Sequence, residues 1–311
     1  MNAVSDRAIL FGHQKSMVGI LTQRTDYKPN DRPVFVILNT GIIHRVGHHR
    51  MYVTLSRALA QAGYQILRFD LSGIGDSESR TDGLPPFEAA LADIREAVNW
   101  LGTAHQARRI ILVGLCSGAD HALAYGRDDP RVVGLILLDP SIPPTAKYYG
   151  IYFLSNLLRS RSWFDLFSGR GWVWKTVRGI VGNNADTAWE KHRSELKAPE
   201  VRAFLQNAYR KTMERETQCL AVFTSGLLHQ HNYRRQILDA FPTVPFGDRL
   251  RLEYFRQCDH LFTCATDRKR LFDIIMQWAA KTEFTYAPSI KFVVEDSGRS
   301  QKSQRQATQH V

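Results

Sequence analysis

Between residues 34 and 138 the chain alternates short apolar runs with stretches of helical spacing, and few folds accommodate that order. The runs Val34–Leu38, Gln65–Phe69, Ile110–Val113 and Val133–Leu138 are too short for helices and largely apolar, so each predicts a strand buried on both sides. The intervening segments 51–62, 87–101 and 118–126 repeat apolar residues at helical intervals, and the first stops at Gly63. Strands joined by helices run parallel, because a crossover returns each strand to the same end of the sheet. The pattern therefore predicts an α/β fold: a mostly parallel central sheet with helices on both faces. An opening hairpin over 8–22 precedes it, and strands Cys219–Thr224 and Leu250–Phe255 with a helix over 267–280 close it.

After Pro140 the alternation stops until about residue 217, a gap too long for an ordinary connection. Its aromatics, among them Tyr148, Phe153, Trp163 and Trp172, predict an inserted helical cap over 141–216 that lines a substrate entrance. Residues 1–140 and 217–296 then form one core. The stretch 297–311 has almost nothing apolar to bury and is expected to be a disordered tail.

The formal charge of +11 raises the question of nucleic acid, but the cations are spread without one stripe or a binding motif, so no specific nucleic-acid partner is expected. Four cysteines without a Cys-x-x-Cys pair argue against structural zinc. No apolar run is long enough for a transmembrane segment and no signal-like segment opens the chain, so a reducing cytoplasm is the expected location. There a free thiolate persists.

The sharpest local signal is Gly114-Leu115-Cys116-Ser117-Gly118, set between the strand ending at Val113 and a helix. A nucleophile on such a turn needs small residues two before and two after it, and both glycines are there. The turn aims the Ser117 N–H at an incoming oxyanion beside the positive end of the helix, which favours a thiolate at Cys116. Among eleven histidines, position selects His260: it follows the last strand, where a general base can reach the elbow. Asn39-Thr40-Gly41-Ile42 follows the first parallel strand, so Gly41 or Ile42 can supply the second oxyanion N–H. The basic continuation His44 to Arg50 reads as a polar loop or as a seat for an anionic substrate group; His44 and His48 lack a carboxylate or cysteine companion for a metal. Gly73-Ile-Gly-Asp-Ser77 lacks the third glycine of a dinucleotide fingerprint, and no cofactor is expected.

The run FDLSGIGDS after a strand, the elbow GLCSG and the late DHLF together resemble the α/β-hydrolase superfamily over residues 8–282. NTGIIHRVG, LRFDLSGIGDSE and a cysteine elbow are similar in particular to the exosortase-system-associated hydrolases, and the cysteine also resembles dienelactone hydrolases and polyhydroxyalkanoate synthases. The resemblance implies an α/β-hydrolase fold and an acid behind the histidine. The superfamily commonly places that acid after the penultimate strand, yet here the loop Ser225–Tyr233 holds no carboxylate. Asp139, at the end of the strand after the elbow, matches an alternative acid position of the superfamily; Asn232, Asp239 and a bare Cys-His dyad stay open. The function implied is hydrolysis of an ester or thioester of a small-molecule acyl substrate through an acyl intermediate on Cys116. An acyltransferase using the same intermediate, and a non-catalytic binding module on the same fold, are the alternatives.

Overall fold

In a computed structural model, residues 3–157, 198–227 and 230–282 are described. Eight strands form one sheet: β1 (Val4–Phe11), β2 (Met17–Arg24), β3 (Val34–Ile37), β4 (Ile66–Phe69), β5 (Ile110–Leu115), β6 (Val132–Leu138), β7 (Gln218–Thr224) and β8 (Leu250–Phe255). They lie in the order β1-β2-β4-β3-β5-β6-β7-β8. The expected hairpin is the antiparallel β1–β2 pair, and β2 joins β4 antiparallel; from β4 to β8 every neighbour is parallel. This is the α/β-hydrolase fold.

Strand alternation divides the core between the two faces. Ile110 and Leu112 of β5 join one cluster, while Ile111, Val113 and Leu115 join the other. All five are fully buried, and each side chain of this size contributes about 1.5–3 kcal/mol on leaving water. The first face is covered by α2 (Pro86–His105), α3 (Ser117–Gly126) and α5 (Pro199–Glu214); the second by α1 (Met51–Gln61) and α7 (Ala265–Lys281). Helix α2 shows why the spacing was readable: Ala90, Ile94, Ala97, Val98 and Leu101 fall on one stripe, and Pro86 opens the helix where its missing N–H costs nothing. It runs beyond the expected 101, because the polar last turn to His105 carries no apolar signal.

Helix α4 (Ala146–Leu157) begins the segment expected to be the cap. Helix α5, also inside the expected 141–216, packs on the body instead: Leu205, Ala208, Tyr209 and Met213 belong to the same core as β6 and β7. Residues 158–197, the middle of that segment, and the tail 297–311 lie outside the described residues. A short helix, α6 (Gln236–Ala240), follows the β7 loop.

Candidate active site

The elbow forms because β5 leads directly into α3 with one residue between them. That residue, Cys116, is held at φ 56° and ψ −123°, a strained conformation for a side chain with a Cβ. Its N–H is satisfied by Leu138 O at 2.9 Å, so the strain is borne within the β5–β6 ladder. A Cβ on Gly114 would lie 2.1 Å from the Gly118 carbonyl, and one on Gly118 would lie 2.4 Å from Asn39 O. Only glycine fits at either position.

The donors expected for an oxyanion lie around this turn. Ser117 begins α3, whose first N–H groups have no partner inside the helix. The Gly41 N–H, however, donates to Ser117 Oγ at 2.8 Å, so this donor is engaged by a side chain. Ile42 is almost wholly exposed at 89%. Asn39 braces the loop, donating to Ile43 O at 2.8 Å and accepting from the Leu71 N–H at 2.8 Å. Arg45 bridges Asp70 and Asp76 from the other side. The GIGDS segment is thereby a brace: Ser77 Oγ donates to Asp70 O and accepts from the Val18 N–H.

Asp139 follows β6, fully buried at 1% exposure and at φ 46°. Three hydrogen bonds and one further imidazole surround its carboxylate. The Thr224 N–H reaches Oδ1 at 2.6 Å, the Thr224 hydroxyl reaches Oδ2 at 2.7 Å, and His260 Nδ1 lies 2.8 Å from Oδ2. His231 Nε2 stands 3.1 Å from Oδ1. Burial pushes the carboxyl up, but the close approach of His231 and the hydrogen bonds from His260 and Thr224 outweigh it and hold Asp139 below the usual carboxylate range. An ionised carboxylate only accepts, so Nδ1 of His260 carries the proton and Nε2 is left for the thiol. Burial disfavours a charged His260 ring, yet the hydrogen bond to Asp139 and the nearness of Cys116 raise its pKa to about 9.

The turn carrying His260 is organised by Asp259, which accepts from the Leu261 N–H at 2.8 Å and from the Thr263 hydroxyl at 3.1 Å. The structure thus brings Cys116, His260 and Asp139 together at the carboxyl ends of β5, β6 and β8. It does not bring Asn232 or Asp239 to the ring: Asn232 Nδ2 donates to Tyr148 O at 3.0 Å, and Asp239 accepts from the Tyr233 hydroxyl at 2.8 Å. Sequence reasoning missed His231 and Thr224; the first lies inside the loop where the acid was sought and the second just before it. Tyr52 was missed too: fully buried beside Cys116, its phenol bonds Thr40 at 2.6 Å, and burial pushes it up to about 12. From the basic loop, His48 faces the site; burial first, then the nearby His260, lowers its pKa.

Residues 37–211, over half of the chain, match the family described as Serine aminopeptidase, S33. The chain belongs to that family. It is a hydrolase of the α/β superfamily, with cysteine at the centre of the elbow in a family named for serine. No curated protein sequence matches it. Among solved structures, DcsB in complex with its substrate analogue superposes with a TM-score of 0.57 at 14% identity, over 90% of this chain and 100% of that one. The Pyrococcus furiosus esterase PF2001 gives 0.51 at 14%, over 89% and 92%. An α/β serine hydrolase homologue from Coxiella burnetii gives 0.51 at 12%, over 89% and 97%. At these identities the likeness is one of fold. Among the described residues, no helix is long and apolar enough to cross a membrane.

Proposed function

We propose that this hydrolase cleaves an ester or thioester of an acyl substrate through a covalent intermediate on Cys116. The observation that carries the reading is the buried Asp139 carboxylate bonded to His260 Nδ1 at 2.8 Å, with the ring beside Cys116 on its strained elbow. With His260 charged below about pH 9, the proton that Cys116 gives up is held on Nε2 of the imidazolium, and the sulfur attacks the carbonyl carbon. The resulting oxyanion is held by the Ser117 N–H and by a donor from the Gly41–Ile42 loop, once the Ser117 hydroxyl turns away from Gly41. As the carbonyl reforms, the bond to the leaving oxygen or sulfur breaks and the imidazolium protonates it. Water then attacks the thioester while Nε2 takes its proton, and the departing Cys116 sulfur recovers a proton from the ring. Asp139 keeps Nδ1 protonated throughout.

Cysteine suits this arrangement, since a thiol needs less activation than a hydroxyl. Ser117 does not fit as the nucleophile: centring the elbow there would place Leu115 and Ala119 where the tight turn admits only glycine. The test is incubation with a panel of acyl thioesters and esters, followed by mass spectrometry of the intact protein. An acyl adduct that maps to Cys116 and vanishes in Cys116→Ala is expected. An adduct on Ser117, or turnover undiminished in Cys116→Ala, refutes the mechanism.

A further inference from the structure

A cavity of about 700 Å³ opens at the carboxyl ends of β7 and β8, lined by residues of the two loops that follow those strands. Ser225, the first residue after β7, forms part of its wall and donates from Oγ to Cys258 O at 3.3 Å, two residues before His260. Three arginines line it: Arg234 from the β7 loop, Arg256 just after β8, and Arg270 from α7. None of the three pairs with a carboxylate among the described residues. Arg234 donates to the edge-strand carbonyl of Leu252 at 2.6 Å, and Arg270 lies 4.4 Å over the Phe255 ring. Both contacts fix the cations without neutralising them. The one acidic residue in the lining, Glu253, is already engaged by Arg251 at 2.9 Å.

Three arginines lining one space, with no carboxylate paired to them among the described residues, give it a positive potential that favours an anion. Guanidinium groups offer paired donors matched to phosphate oxygens, and several of them around one dianion compensate its charge better than that of a lone carboxylate. The volume exceeds what an inorganic ion fills and falls in the range of sites for small organic molecules. Tyr254 adds an aromatic wall.

We propose that this cavity binds the phosphate group of a phosphorylated small organic molecule. The phosphate can arrive on the leaving-group arm of a thioester substrate or on a separate ligand. The first source rests on the thioester reading above; the phosphate site itself does not.

Calorimetric titration of the full chain at low ionic strength, with adenosine 3′,5′-bisphosphate and with inorganic phosphate as probes, separates the two questions. The bisphosphate is expected to bind and to be displaced by inorganic phosphate but not by chloride at equal ionic strength. Arg256→Gln should weaken it at least ~10-fold, because a charge-assisted contact is lost, while Arg256→Lys, which keeps the charge without the paired donors, falls between the native protein and Arg256→Gln. No binding, or equal binding in Arg256→Gln with an unchanged melting temperature, overturns the proposal. If Arg270→Gln unfolds through loss of its Phe255 contact, Arg256→Gln alone decides. For the source, the KM of a coenzyme A thioester is compared with that of an N-acetylcysteamine thioester of the same acyl group. A KM raised in Arg256→Gln for the first substrate alone assigns the phosphate to the substrate arm; unchanged KM for both, with bisphosphate binding lost, assigns a separate ligand.

Discussion

Replacing Asp139 by Asn changes one atom and reverses a proton. In the native site Oδ1 faces the Thr224 N–H and His231, while Oδ2 faces the Thr224 hydroxyl and His260 Nδ1. An asparagine must keep its carbonyl toward the Thr224 N–H, which can only donate, so its NH₂ turns to the hydroxyl and the imidazole. The hydroxyl can accept. The imidazole can accept only by moving its proton to Nε2, the atom that must take the thiol proton. The fold should therefore survive while the base is disabled. The rise of His260 from 6.5 to about 9 corresponds to about 3 kcal/mol of preference for the charged ring, in which Asp139 and Cys116 share. Losing roughly half of that, together with the wrong tautomer, should lower kcat/KM about 10²–10³-fold at pH 7, less than for a serine enzyme because the thiol is the easier nucleophile. The assay is hydrolysis of a chromogenic thioester, with Asp239→Asn as the comparison. A folded Asp139→Asn losing less than ~10-fold, or an Asp239→Asn losing more, would refute the reasoning. Stability offers a second readout. A folded-state value above 6.5 means that the charged His260 ring stabilises the fold fully below pH 6.5, and this contribution fades as pH rises through about 9. Urea midpoints should show that slope flattened in Asp139→Asn.

Cys116→Ala should abolish acylation and lower turnover at least ~10³-fold, measured by intact-protein mass and steady-state kinetics. Ser117→Ala should stay within about 3-fold of the native rate, because its backbone donor survives and the Gly41 N–H is released; a loss beyond ~10² would show that its hydroxyl takes part. Gly114→Ala, with its new Cβ 2.1 Å from the Gly118 carbonyl, should lower stability by at least about 3 kcal/mol or prevent folding, as read by circular dichroism. His231→Leu should lower kcat more than KM and shift the acidic limb of the pH profile upward, since the carboxylate loses a neighbour that keeps it ionised; an unmoved profile would leave His231 with packing alone.

The strands were legible because β5 and β6 are buried on both faces, and continuous apolar runs are the direct trace of that burial. The elbow was legible because its geometry admits glycine at 114 and 118 and nothing else. Asp139 was harder to read. A carboxylate at a strand end looks like a turn former, and what distinguishes it is a set of partners 85 and 121 residues away. His231 lay in a loop searched for a carboxylate, so a basic residue there carried no signal. The engagement of Gly41 by Ser117 depends on a contact across 76 residues and has no trace in local sequence.

Leu115 and Leu138 are paired in the β5–β6 ladder, so Cys116 and Asp139 are the next residues beyond the same rung. A shear or twist of the sheet carries both together and leaves their separation nearly unchanged. His260 is tied differently: its turn is held by Asp259, by Ser225 Oγ on the Cys258 carbonyl and by Arg268 on the carbonyls of Phe262 and Thr263, with Phe262 buried in the core. A shift of this turn would move the ring relative to a Cys116–Asp139 pair that the sheet holds fixed, and so interrupt proton transfer without altering the elbow.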